Sequence, residues 1–129
     1  MEILNEDLTL LRDSAQGYLA EHHPISAFRA LRNVGKTGSD GIGAELAALG
    51  WMGILLSEDQ GGADFGCRAA GLIATELGRN LTAAPFLSTA ILSATVLRAC
   101  GGEVLTTWGG KIAAGEATVA LAMEEGAKH

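Results

Sequence analysis

Pro85-Phe86-Leu87-Ser88-Thr89-Ala90-Ile91-Leu92-Ser93-Ala94-Thr95-Val96-Leu97-Arg98-Ala99-Cys100-Gly101-Gly102 is the stretch on which the fold turns. No charged residue interrupts the chain between Arg79 and Arg98. Within it the apolar residues do not keep to one stripe, and the gaps are filled by Ala, Ser and Thr. A helix apolar on all sides belongs in the middle of a bundle or in a membrane. A membrane-spanning helix needs roughly 20 apolar residues, and this run is shorter and carries Ser88, Thr89, Ser93 and Thr95. The expectation is therefore a buried central helix over about 86–100, with no membrane span. Pro85 suits its start, where a missing N–H has no partner to lose. Gly101-Gly102 suits its end, because glycine reaches left-handed conformations without a Cβ clash.

Outward from this helix the pattern stays helical. Leu8, Leu11, Ala15, Tyr18 and Leu19 recur at three- and four-residue steps and predict a helix over about 5–21, with Asn5 as its cap. His22-His23-Pro24 ends it, and the two histidines read as a solvated terminus rather than metal ligands, since no further ligand stands nearby. Ile25 to Arg32 predicts a short helix, Val34 to Gly43 a loop, and Ile42 to Leu49 a helix capped by Ser39 or Asp40. Cys67 to Leu77 or Arg79 and Glu103 to Ala114 predict two more. Thr118 to Met123 is β-branched at its start and predicts a short C-terminal strand, which needs a partner to pair with. The expected fold class is all-α, a bundle of about five helices around the central one.

Composition narrows the function. A chain of 129 residues, 48% apolar, encloses a real core, and with only 5% aromatics that core is aliphatic. A net charge of −6 argues against nucleic acid, and no polybasic segment faces an anionic membrane. Cys67 and Cys100 lack any paired spacing and read as two buried thiols in a reducing, cytoplasmic compartment. The 18 glycines are many for a helical chain and must sit in connections or close contacts.

Between two helices stands Leu49-Gly50-Trp51-Met52-Gly53-Ile54-Leu55-Leu56-Ser57-Glu58-Asp59-Gln60-Gly61-Gly62-Ala63-Asp64-Phe65-Gly66. It lacks the spacing of a phosphate loop, and Glu58, Asp59 and Asp64 would repel an anion. It resembles a signature of the acyl-CoA dehydrogenase family, whose N-terminal helical domain reads Leu-Gly-Trp-x-Gly, then Pro-Glu-x-x-Gly-Gly-x-Gly. Leu49, Gly50, Trp51, Gly53, Glu58, Gly61 and Gly62 match, whereas Ser57 stands for the proline and Asp64 for a glycine. The resemblance continues through Glu76-Leu77-Gly78-Arg79, Pro85-Phe86-Leu87-Ser88-Thr89, Trp108, Ala114-Gly115-Glu116 and Ala120-Leu121-Ala122. Where the family writes Thr-Glu-Pro, this chain has Glu124-Glu125-Gly126.

The resemblance implies a helical domain over 1–117, with 118–129 the start of a middle β-domain. It implies α,β-dehydrogenation of an acyl-CoA thioester: a carboxylate base takes one proton and FAD takes one hydride. The base, most FAD contacts and the CoA sites belong to parts of the family's fold that this stretch does not include. By position along the central helix, Leu87, Ser88 and Ile91 match residues lining the acyl pocket. Leu121 and Met123, with Glu124 beside them, match the strand that approaches the flavin. A carboxylate at 124 is unfavourable beside a flavin that turns anionic on reduction. The chain alone is therefore expected to hold no FAD and to be inactive. Assembly with other acyl-CoA dehydrogenase chains, as homo- or hetero-oligomer, is implied. Two alternatives stand beside this reading: a non-catalytic partner subunit of a heteromeric acyl-CoA dehydrogenase, and an unrelated small helical interaction domain.

Overall fold

The computed structural model describes residues 5–124 and Gly126. Among them the α-helices are α1 Asn5–His22, α2 Ile25–Asn33, α3 Ile42–Ala48, α4 Gly66–Arg79, α5 Ala94–Cys100 and α6 Gly102–Ala113. A 3₁₀ turn, Glu58–Gln60, precedes α4, and a π-helical stretch, Phe86–Ser93, runs directly into α5. The fold is all-α. No strand is present among the described residues, and none of their helices is long and apolar enough to cross a membrane.

Apolar periodicity sets the packing. Leu8, Ala15 and Leu19 of α1 are buried against α4, whose buried face is Ala69, Ala70, Ile73, Glu76 and Leu77. Ile42 and Leu46 of α3, the Trp51–Leu55 turn, Phe86 and Ala90 join them in one cluster. A second cluster gathers Leu56, Ala94, Leu97, Ile112 and Ala113, with Leu105 and Val119 packed against it. Leu55 and Leu56, adjacent in the chain, fall into different clusters, so the turn is the wedge that joins them.

Six consecutive residues, Trp51 to Leu56, are buried. Their backbone is satisfied by a loop that doubles back: the amides of Ala63, Asp64 and Phe65 donate to the carbonyls of Gly53, Leu56 and Ile54 at 2.9–3.0 Å. Glycine is required at two points. A Cβ on Gly62 would lie 2.1 Å from the Leu56 carbonyl oxygen, and one on Gly53 would lie 2.9 Å from Gly62 Cα and 3.0 Å from Ala113 Cβ. The loop thus closes backbone to backbone on itself, and Gly53 lies against Ala113 of α6.

Several local expectations are corrected. Asn5 lies within α1 itself, and its Oδ1 accepts from Arg68 at 3.0 Å. Neither Ser39 nor Asp40 caps α3. Gly41, left-handed at φ 78°, is the cap residue, and Asp40 instead accepts from Lys36 at 3.1 Å. Cys67 and Cys100 are exposed, not buried, because each sits at a helix end turned away from both clusters. The expected strand after 117 is irregular chain, since no neighbouring strand exists among the described residues to pair with it.

Candidate functional site

The central helix starts with π winding, in which backbone bonds run i→i+5 and the turn is wider than in an α-helix. Such stretches are rare and recur at functional sites. Here the hydroxyl of Ser93 donates to the carbonyl of Ser88, five residues back, at 2.7 Å. The helix is enclosed on one side only. Phe86, Thr89, Ala90, Ser93, Ala94 and Leu97 are buried, whereas Leu87, Leu92 and Val96 are exposed, Leu87 at 60%. The sequence led us to expect burial all round, but six short helices provide too few neighbours to cover the other side.

The buried side carries two hydroxyls. Thr89 Oγ1 donates to the carbonyl of Val119 at 2.8 Å and accepts from the Val119 amide at 3.1 Å. Ser93 Oγ lies 3.1 Å from the same carbonyl. The segment after α6 is thereby tied to the central helix at one residue. Beyond that tie Leu121, Met123 and Glu124 are exposed, Met123 at 72%. Glu125 lies outside the described residues.

The pocket residues expected from the sequence are in different surroundings. Leu87 faces solvent, Ser88 is half-buried with its hydroxyl near the Pro85 carbonyl at 3.4 Å, and Ile91 packs on the main core cluster. Two grooves lie nearby. One runs between α2 and residues 80–83; the other, open and ≈ 430 Å³, runs between Thr37, Gly38, Ile42 and the segment from Thr82 to Pro85. None of Leu87, Ser88 and Ile91 lines either groove.

Sequence reasoning missed a polar cluster on the other side of the bundle. His23 is 9% exposed, and its Nε2 lies 2.5 Å from Glu45 Oε1, which also accepts from the Tyr18 hydroxyl at 2.7 Å. His22 stacks on Tyr18 with ring centroids 4.2 Å apart, and Trp51 meets the same ring edge-on at 6.2 Å. Burial pushes the Glu45 carboxyl up, but the hydrogen bonds from Tyr18 and His23 and the fields of the two imidazoles outweigh it and hold it below its ordinary value. The hydrogen bond to Glu45, burial and the nearby negative charge raise Tyr18. His23 is thus a structural partner of Glu45 and not the solvated terminus the sequence suggested. No group of three potential metal ligands occurs among the described residues. Glu76, 2% exposed, accepts from Gln16 at 3.2 Å between α4 and α1.

Residues 5–116 match the family described as acyl-CoA dehydrogenase, N-terminal domain. The chain belongs to the acyl-CoA dehydrogenase family. No curated protein and no solved structure matches it. Family membership excludes an unrelated interaction domain. It also gives Gly53 and Gly62, both part of the acyl-CoA dehydrogenase signature, a steric meaning: they let the signature loop close on itself and on α6.

Proposed function

We propose that the chain is the N-terminal helical part of an FAD-dependent acyl-CoA dehydrogenase, acting in α,β-dehydrogenation of an acyl-CoA thioester. Residues 1–117 form the helical domain, and 118–129 lead into a β-domain. The observation that carries this reading is the uncovered apolar side of the central helix, where Leu87, Leu92 and Val96 stand exposed in a chain that matches the family. An apolar wall of this kind suits an acyl chain once further domains close over it. Leu87 stands on that wall with Leu92 and Val96, the half-buried Ser88 and Ile91 lie at its edge, and together they exclude water from the thioester's α and β carbons.

The residues after the tie suit only a fraction of a dinucleotide. Leu121 and Met123 are apolar and exposed, fit to lie against a flat ring. Neither they nor Glu124 offers a cation for a pyrophosphate. A bound flavin supplies the hydride acceptor. This chain contributes Leu121, Met123 and Glu124 to the edge of that site and leaves the other contacts to the β-domain. On this reading the chain alone holds no FAD and turns over no acyl-CoA, and it works in homo- or hetero-oligomers with other acyl-CoA dehydrogenase chains.

Glu124, standing where the family writes threonine, favours a second reading. A non-catalytic subunit would complete a partner's pocket without carrying flavin itself. Flavin content and acyl-CoA turnover of this chain, measured beside the complete polypeptide encoded by its gene, test both. The first reading expects flavin and turnover in the complete polypeptide only. The second expects neither until a partner chain is added. Turnover by the 129 residues alone would refute both.

A further inference from the structure

Four exposed helical threonines set a pattern that Thr89 breaks. Thr9, Thr75, Thr95 and Thr106 each donate to the carbonyl four residues back in their own helix, and all four are exposed. Thr89 is fully buried and does otherwise: its hydroxyl turns away from its own helix and engages both polar groups of Val119. A buried hydroxyl must find partners, and this one finds them thirty residues along the chain.

We infer that Thr89 and Ser93 are positioning residues that set the register in which the segment from Thr118 to Glu124 leaves the helical domain. The hydroxyl of Thr89 serves one residue's N–H and C=O together, as a neighbouring strand would. Ser93 stands one turn on; its hydroxyl, 2.7 Å from the Ser88 carbonyl, shares its hydrogen with the Val119 carbonyl at 3.1 Å and so plays the lesser part. Packing selects which residue is held. Val119 fills against Leu56, Ala94, Leu97, Ile112 and Ala113. A slip of one residue would put Thr118 or Ala120 there, burying a hydroxyl or forfeiting the packing. The upstream end is fixed as well. The turn that closes α6 is anchored by Gly115, where a Cβ would lie 2.7 Å from the Gly43 carbonyl oxygen and 2.8 Å from Ala44 Cα. Two anchors four residues apart define where Leu121 and Met123 emerge. What those side chains then touch belongs to the reading above; the register itself is independent of it.

Amide hydrogen exchange followed by NMR on this chain tests the inference. Thr89→Val keeps the shape and removes the hydroxyl. It speeds exchange of the Val119 amide about tenfold or more, the loss expected for one buried hydrogen bond. Thr89→Ser restores most of the protection, and Thr89→Val with Ser93→Ala releases the segment while the helical circular dichroism is kept. Wild-type protection of Val119 in Thr89→Val overturns the inference. So does failure of Thr89→Ser to restore protection. Equal loss of protection through residues 86–100 also overturns it, because the hydroxyls would then hold the helix and not the segment. The measurement contains no flavin, so the register and the flavin reading fail separately.

Discussion

Gly62→Ala is the sharpest probe of the signature loop. The added methyl would sit 2.1 Å from the Leu56 carbonyl oxygen, 2.4 Å from its carbon and 2.6 Å from Leu56 Cβ. Two of these three atoms are backbone, and Leu56 is fully buried, so no flexible side chain can give way. The loop must open, and it is held by the Gly62 amide on Ser57, the Asp64 amide on Leu56 and the Ala63 amide on Gly53. Overpacking in a core costs about 1–3 kcal/mol, and a loosened buried hydrogen bond adds about 1 kcal/mol. A loss of about 3 kcal/mol follows, a fall in Tm on the order of 10 °C for a domain of this size. Gly17→Ala on α1 is the control. It meets nothing within 4 Å, and it should gain about 0.5–1 kcal/mol from helix propensity. Urea unfolding followed by circular dichroism measures both. A Gly62→Ala protein within about 0.5 kcal/mol of wild type, the range of an ordinary surface change, would refute the steric account of the loop.

Two further outcomes are expected. The Glu45 carboxyl is held below its ordinary value of 4.5, so the pair with His23 contributes stability above that value and loses it as pH falls through the depressed folded value. Glu45→Gln should therefore be less stable than wild type at pH 7, the gap narrowing in acid below about pH 4.5; a gap that is constant from pH 7 to pH 3 contradicts the assignment. Leu87→Ser removes an exposed side chain and should change the unfolding free energy of this chain by no more than about 0.5 kcal/mol, while raising KM for acyl-CoA in the complete polypeptide; a large loss of stability would place Leu87 in the core instead.

The helices were legible in the sequence because their apolar spacing and their glycine ends are local signals. Gly101, at φ 66°, ends the central helix where the pattern placed the stop, and Gly102, at φ 60°, opens α6. The π winding was not legible, since a change from i→i+4 to i→i+5 bonding leaves no mark in a stretch where apolar residues already cover every side. The His23–Glu45 pair joins residues 22 apart, and nothing in the local sequence at His22-His23 reports which carboxylate comes near. Cys67 and Cys100 were expected inside on composition, but burial at a helix end depends on rotation about the axis, which composition does not carry. At the candidate site, Leu87, Ser88 and Ile91 came from resemblance, while Thr89 and Ser93 entered only as polar residues that argue against a membrane span. A signal was present. A buried hydroxyl must find an acceptor; Ser93 finds one in its own helix at Ser88, whereas Thr89 reaches out to Val119.

The residues that mark the family and the residues proposed for its chemistry are largely different sets, and the structure gives the reason. Trp51, Gly53 and Gly62 are constrained by contact: Trp51 is buried against the Tyr18 ring, Gly53 lies against Gly62 and Ala113 of α6, and Gly62 lies against Leu56. A core with few aromatics and many small side chains gains stability from close approach, so a single Cβ in the wrong place is felt. That makes the loop the wedge between the two clusters and explains why it is readable as a signature. The exposed side of the central helix is under less constraint within this chain, because Leu87, Leu92 and Val96 keep 60, 41 and 38% of their surface open. Its side chains are free to follow the demands of whatever closes over it. On the proposed function, substrate preference should accordingly track substitutions on that side at little cost to the fold, whereas substitutions in the signature loop should cost stability and leave preference alone.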